Sequence, residues 1–348
     1  MYQLLPRLPL RPRIGYDQPT YRMRPDLRKW RARTIWYSPM TSHPRAWWRV
    51  ALELRIRRSN GDSFQDFFSK MMEKTRGSDF VRVRAFGALG DMGCDGYVIS
   101  SGEVFQCYGA VNGESNKAAY VVKKMEQDFA TAKTKLDGVM KSWTFVHNLT
   151  DGLPVTILQS YTKLSQENPG IDIKLMGLEG FAGELFKLND DSIGELLGLA
   201  AQAEDLIALQ PMELRNLVSD LVQLNSQLTA PATQIKPVPV DKLELNKLPI
   251  HWHQLIQTGW QNSYAVQEYL SRYHDPLAGD SIAQLFRNHY AQLKAQNLCA
   301  DDIMSHLCEV VVGGGPVAPS RQVAAFAIIA YFFESCDIFE DHASKVAP

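Results

Sequence analysis

The sequence lacks most of what would mark a secreted, membrane-bound or metal-rich protein. It has five cysteines in 348 residues, an odd number with no CxxC pair, which excludes a disulfide framework and points to a reducing cytoplasm. The longest apolar run, residues 323–333, falls well short of the roughly 20 residues that a bilayer-spanning helix needs. No signal-peptide architecture surrounds it, so no membrane partner is expected. His251, His253, His274, His289 and His306 stand at no metal-ligand spacing, which argues against zinc. Gly313-Gly314-Gly315-Pro316 lacks the GK[ST] ending of a phosphate loop and no strand leads into it, so ATP binding is not expected in this chain. The formal net charge of −1 names no partner.

Charge is nevertheless unevenly placed. Before residue 40 the chain carries Arg7, Arg11, Arg13, Arg22, Arg24, Arg28, Lys29, Arg31 and Arg33 against Asp17 and Asp26, with no apolar period of either kind. Residues 1–39 therefore read as a disordered basic arm that adds affinity for nucleic acid, or as a start-site extension ahead of Met40-Thr41-Ser42. The remainder is acidic on balance, which argues against a body that is one broad nucleic-acid surface.

Chemistry concentrates in residues 87–109, GALGDMGCDGYVISSGEVFQCYG. Asp91 and Asp95 flank Met92-Gly93-Cys94 in a glycine-rich bend. Tyr97-Val98-Ile99 and Val104 to Tyr108 then read as two strands joined by a hairpin over Ser100-Ser101-Gly102-Glu103. Asp95 would stand at the start of the first strand and Gln106 within the second, converging at one sheet end as hard-oxygen ligands of a divalent cation must. Around this stretch, Ser63 is a plausible cap for a helix through Lys74 with a Phe64, Phe67, Phe68, Met71 stripe, and Phe80 to Ala85 alternates as a half-exposed strand carrying Arg82 and Arg84. Residues 46–58 mix helix and strand periods. A helix is expected over 116–136, a strand over 143–147, a helix over 153–167, a strand over 171–175 and a helix over 178–186; such alternation calls for an α/β sheet with crossover connections. His147 reads as a structural histidine rather than a general base.

From residue 212 the chain turns helical. Leu214, Leu217, Val218, Leu221 and Leu224 form a stripe, residues 229–240 are a proline-rich linker, and helices follow at 281–294, 301–312 and 321–336. The 323–333 segment is apolar enough to predict that it faces a partner subunit.

The Gly-Asp-x-Gly-x-Asp-Gly pattern with its hairpin and Gln106 resembles the core of the restriction-endonuclease-like superfamily, the PD-(D/E)xK nucleases, in the variant with Gln at the acidic position. The resemblance implies that Asp95 and Gln106 bind Mg²⁺ with the main-chain carbonyl of Cys107. It implies a lysine where Tyr108 stands, with Lys123 or Lys124 on the next helix as a migrated substitute. It also implies an acid on the first helix, where Gln65 and Asp66 lie. Candidate catalytic residues are thus Asp95, Asp91, Gln106, Tyr108, Lys123 and Asp66. The C-terminal segment, with Arg287 to Leu293 and Ala330 to Glu340, resembles the C-terminal domains of effectors in bacterial ABC-ATPase three-component defence systems, the Lamassu-like group. That resemblance implies an SMC- or Rad50-like ATPase and a small middle component as partners.

The expected organisation is an arm (1–39), a restriction-endonuclease-like α/β domain with a mixed central sheet flanked by helices (40–200), connecting helices (201–228), a linker (229–245) and an all-α assembly domain (246–348). The expected function is that of an anti-phage effector, either a Mg²⁺-dependent DNA endonuclease or a catalytically inactive nuclease-fold subunit for DNA binding or scaffolding.

Overall fold

The computed structural model describes residues 43–83, 93–111, 118–225, 242–335 and 339. These residues form one compact unit. The basic arm, Arg84, Asp91 and residues 226–241 of the proline-rich stretch lie outside the described residues.

The first helix, α1 (His43–Arg58), explains its own mixed periodicity: Trp47, Trp48, Val50, Leu52, Leu54 and Ile56 are all buried, as in a helix covered on nearly every side. Next comes α2 (Gly61–Arg76), with the expected aromatic stripe inward. It begins two residues before Ser63, and the Ser63 hydroxyl instead accepts the Asn60 N–H at 2.9 Å from inside the first turn. A short turn leads to β1 (Phe80–Arg82), β2 (Gly96–Val98) and β3 (Glu103–Tyr108). Then α3 (Ala118–Lys135) crosses to β4 (Ser142–His147), and α4 (Val155–Glu167) crosses to β5 (Asp172–Met176).

The five strands form one mixed sheet in the order β1-β2-β3-β4-β5. The first three make an antiparallel meander, and β3, β4 and β5 run parallel. Parallel neighbours require crossovers, which α3 and α4 supply on one face, where Val121, Met125 and Phe129 pack on Trp143 and Phe145. The opposite face, with Phe80, Phe105 and Val146, packs on α2. All six residues of β4 are buried, as in a central strand covered on both faces.

The chain continues through α5 (Leu178–Leu185), α6 (Asp190–Leu197), α7 (Ala203–Leu206), α8 (Pro211–Asn225), α9 (Lys242–Leu245), α10 (Ile250–Trp260), α11 (Ser263–Ser271), α12 (Ala278–Ala295), α13 (Ala300–Val312) and α14 (Pro319–Ser335). Two expectations need correction here. Residues 242–245, read as extended linker, form the helical turn α9, because the Lys242 ammonium is buried and donates to the Phe333 carbonyl at 2.9 Å. The apolar run 323–333 does not face a partner: Ala324 to Ala330, Phe332 and Phe333 are buried within this chain, under α8, α10, α11 and α13. The same core takes in α1, where Trp47 meets Phe326 edge-on at 5.9 Å.

A buried polar tie joins the two halves. Arg57 on α1 donates to Glu53 at 2.9 Å and to Asp151, after β4, at 2.7 Å, while Glu53 accepts from Ser305 on α13 at 2.8 Å. Burial pushes the Glu53 carboxyl up, and the adjacent Arg57 guanidinium opposes that rise.

Candidate functional site

Gly93, two residues ahead of Asp95, is seated on α3. Gly93 adopts φ +72°, and a Cβ there would lie 2.5 Å from the Asp128 carbonyl, so the position needs glycine for both conformation and space. Asp95 reaches the sheet just before β2. Asp95 N–H donates to the Phe105 carbonyl at 2.7 Å, and the pairing of Gly96 with Phe105, extended by one residue, places Asp95 opposite Gln106. Asp95 is thereby set across from Gln106 and beside Cys107 in the register of β2 and β3.

The Asp95 carboxylate is fixed from two sides. Its Oδ1 accepts the Gln65 side-chain amide at 2.6 Å and its Oδ2 accepts the Cys107 N–H at 2.7 Å. Gln65 can reach it because the start of α2 is tied to the end of β3, Gly61 N–H donating to the Gly109 carbonyl at 3.1 Å. The N–H and C=O of one strand residue face the same side, so the Cys107 carbonyl also faces the Asp95 side of β3. Burial, reinforced by the Asp95 charge, pushes the Cys107 thiol well above its ordinary range, which keeps it neutral and leaves its main chain as the available donor. Gln106 is 3% exposed, and among the described residues its Oε1 has no hydrogen-bond partner. A buried amide oxygen without a donor is costly, and it is the kind of hard oxygen that a divalent cation takes. Among the described residues no three His, Cys, Asp or Glu side chains converge on a metal-sized site, so a cation here would depend on this mixed set.

Tyr108, where the resemblance implies a lysine, stacks on Phe145 with ring centroids 6.0 Å apart. Burial raises its phenol pKa, Tyr120 adds to the rise and nearby Lys124 opposes it. Lys124, held by Asp128 at 2.8 Å, is thus the α3 lysine beside Tyr108, whereas Lys123 is exposed. The helical stripe carries that signal: with Val121, Met125 and Phe129 inward, position 124 flanks the buried face and 123 points away.

Asp66 is turned away from Asp95 and toward Lys70 at 2.8 Å and Arg82 at 2.7 Å, whose hydrogen bonds hold its carboxyl below the ordinary range. Arg82, placed by sequence on a half-exposed strand, is engaged in that pair. His147 is buried at the end of β4, against Gly177, and its Nδ1 accepts the Leu149 N–H at 3.3 Å. Burial lowers its pKa to about 4. The neighbouring Asn148, fully buried, donates to the Ser59 and Ala110 carbonyls and accepts the Ala110 N–H, all at 2.7 Å. Asp91 lies outside the described residues.

Residues 212–340 match the family model for C-terminal domain 10 of the ABC-three component (ABC-3C) systems, a little over a third of the chain. The match supports a place for the chain among the subunits of such a multi-component defence system. No curated protein and no solved structure matches the chain significantly. Among the described residues no helix is long and apolar enough to cross a membrane.

Proposed function

We propose that the chain is the effector subunit of an ABC-three-component anti-phage system, joined to an SMC- or Rad50-like ATPase and a small middle component, and that its α/β half is a restriction-endonuclease-like domain acting on DNA. The observation that carries this reading is the Asp95 carboxylate, pinned by Gln65 and by the Cys107 N–H at the register position across from Gln106, in a chain whose C-terminal third matches an ABC-3C domain. The order of elements, a helix, an antiparallel three-strand meander, a helix and a parallel strand, supports the same fold.

Asp95, Gln106 and the Cys107 carbonyl would hold Mg²⁺, with Gln65 fixing the Asp95 rotamer. Bound there, the ion would lower the pKa of an attacking water and offset charge on the phosphate. Tyr108, with its raised pKa, is protonated at neutral pH and serves as a hydrogen-bond donor to phosphate, not as a base. Lys124 brings a cation to the same side, and Asp128 orients it.

A second reading, a nuclease fold retained for DNA binding or scaffolding, is favoured by one observation: both Asp95 oxygens already accept N–H donors. One comparison separates the two. The full system is expressed with wild type or Asp95→Ala, challenged with phage, and its purified complex is assayed on linear DNA with Mg²⁺ and ATP. Loss of both cleavage and protection supports the effector nuclease. Protection undiminished in Asp95→Ala, with no cleavage by wild type, leaves the scaffold reading.

A further inference from the structure

Since the apolar face of α14 is covered by this chain, any partner surface of the helical half must lie elsewhere. One open groove of about 630 Å³ lies between α8 and α11, both of which pack on α14. Its floor is apolar, formed by Leu209, Pro211, Leu214 and Ala265. Its walls carry Arg215 and Ser219 from α8 and Tyr269 from α11, with Arg272, Tyr273 and His274 at the end of α11. Tyr269 and Tyr273 pack with ring centroids 5.7 Å apart, and Arg215 lies close enough to act on the Tyr269 phenol. The charge is partly compensated: Arg272 pairs with Glu268 at 2.7 Å, the one acid of the lining. Arg215 is exposed and makes no ion pair among the described residues. Exposed Met212, Ile207 and Tyr264 extend apolar surface on the neighbouring stretches of chain.

We propose that this groove docks a segment of a partner protein that places an apolar side chain on the Leu209–Leu214 floor and a carboxylate on Arg215. The proposal rests on the reading that the helical half holds a partner subunit. Nucleic acid is the poorer fit, because a phosphate backbone needs a track of cations, and here two guanidiniums flank an apolar floor with an acid between them. Tyrosine and arginine around an apolar floor are what protein hot spots are built from.

The test uses the full-length chain co-expressed with the proteins encoded beside it. Wild type is expected to co-purify with them, and Arg215→Glu combined with Tyr269→Ala to lose at least about ten-fold of the bound partner, the scale of one hot-spot pair. Arg215 is exposed and Tyr269 is half-buried against the helical core, so an unchanged melting curve is required of the double variant as a check on the fold. A benzoylphenylalanine photo-crosslinker at Ser219 is expected to capture an acidic, apolar segment of the same partner. If wild type co-purifies and the double variant does so equally, the groove assignment is wrong while the assembly reading stands. If crosslinking captures nucleic acid or a basic segment, the assigned occupant is wrong. If the wild-type chain co-purifies with none of these proteins, the assembly reading falls and takes the groove with it.

Discussion

Gln65 donates its side-chain amide to the Asp95 carboxylate at 2.6 Å, joining α2 to the candidate metal ligand just ahead of β2. Replacing this donor with an acid tests what Asp95 is for. In Gln65→Glu two carboxylates face each other, so the variant is expected to lose about 1–3 kcal/mol of stability in EDTA. A divalent cation bound at Asp95 would bridge the pair, so millimolar Mg²⁺ is expected to raise the variant's melting temperature more than that of wild type. If EDTA and Mg²⁺ give the same melting curve for the variant, Asp95 holds no metal.

How far the sequence predicts this site depends on the distance between the partners. The hairpin, the place of Asp95 before β2 and that of Gln106 within β3 follow from glycine positions and strand alternation over some twenty residues. The helices of the second half follow from their stripes, though α1 has no clear period because it is buried nearly all round. Ties across long separations leave no such trace. Nothing in the sequence near Arg57 announces Asp151 or His306, 94 and 249 residues away. The covering of α14 is a fact of tertiary packing, so an apolar run alone predicts a partner face where the fold supplies its own cover.

Asn148 illustrates a residue with no sequence signal and a large expected effect. It is fully buried and closes the junction of α1, β3 and β4 through Ser59 and both polar groups of Ala110. Asn148→Ala leaves a buried N–H and two carbonyls without these partners, and is expected to cost about 2–4 kcal/mol, measured as a lower urea midpoint at unchanged slope. A midpoint within error of wild type would show that water replaces the amide.

The His147 imidazole predicts the sign of a pH effect. Burial lowers its folded pKa to about 4, against the model-peptide value of 6.5. Between these values the unfolded chain holds the extra proton, so stability is full above about pH 6.5 and falls as the pH drops toward 4. At about 1.4 kcal/mol per pKa unit the loss amounts to about 3 kcal/mol. Glu53, whose carboxyl is pushed up by burial, works in the opposite sense and is present in both proteins when wild type is compared with His147→Gln. The variant is expected to show a flatter stability profile between pH 7 and pH 4.5 by urea titration. Equal slopes for the two proteins would rule out His147 as the source.

Two glycines in helices should respond to alanine in opposite directions, because one faces backbone and the other faces open space. A Cβ on Gly259, in α10, would lie 2.0 Å from the Phe326 carbonyl oxygen and 3.1 Å from the Ala327 nitrogen of α14. Neither is a side-chain end that can swing aside, so the two helices must separate at the centre of the helical core. Gly259→Ala is therefore expected to cost at least about 2 kcal/mol through overpacking, despite alanine's better helix propensity. Gly183, inside α5, has nothing within 4 Å of the added carbon and no unusual φ. There the propensity term acts alone, and Gly183→Ala is expected to stabilise by about 0.5–1 kcal/mol. Thermal and urea unfolding of the two variants beside wild type measures both. The pair also reports on architecture: if Gly259→Ala unfolds only the helical half while the α/β half keeps its transition, the two halves are separate cooperative units. A single transition shifted as a whole means that the core running from Trp47 to Phe326 binds them into one.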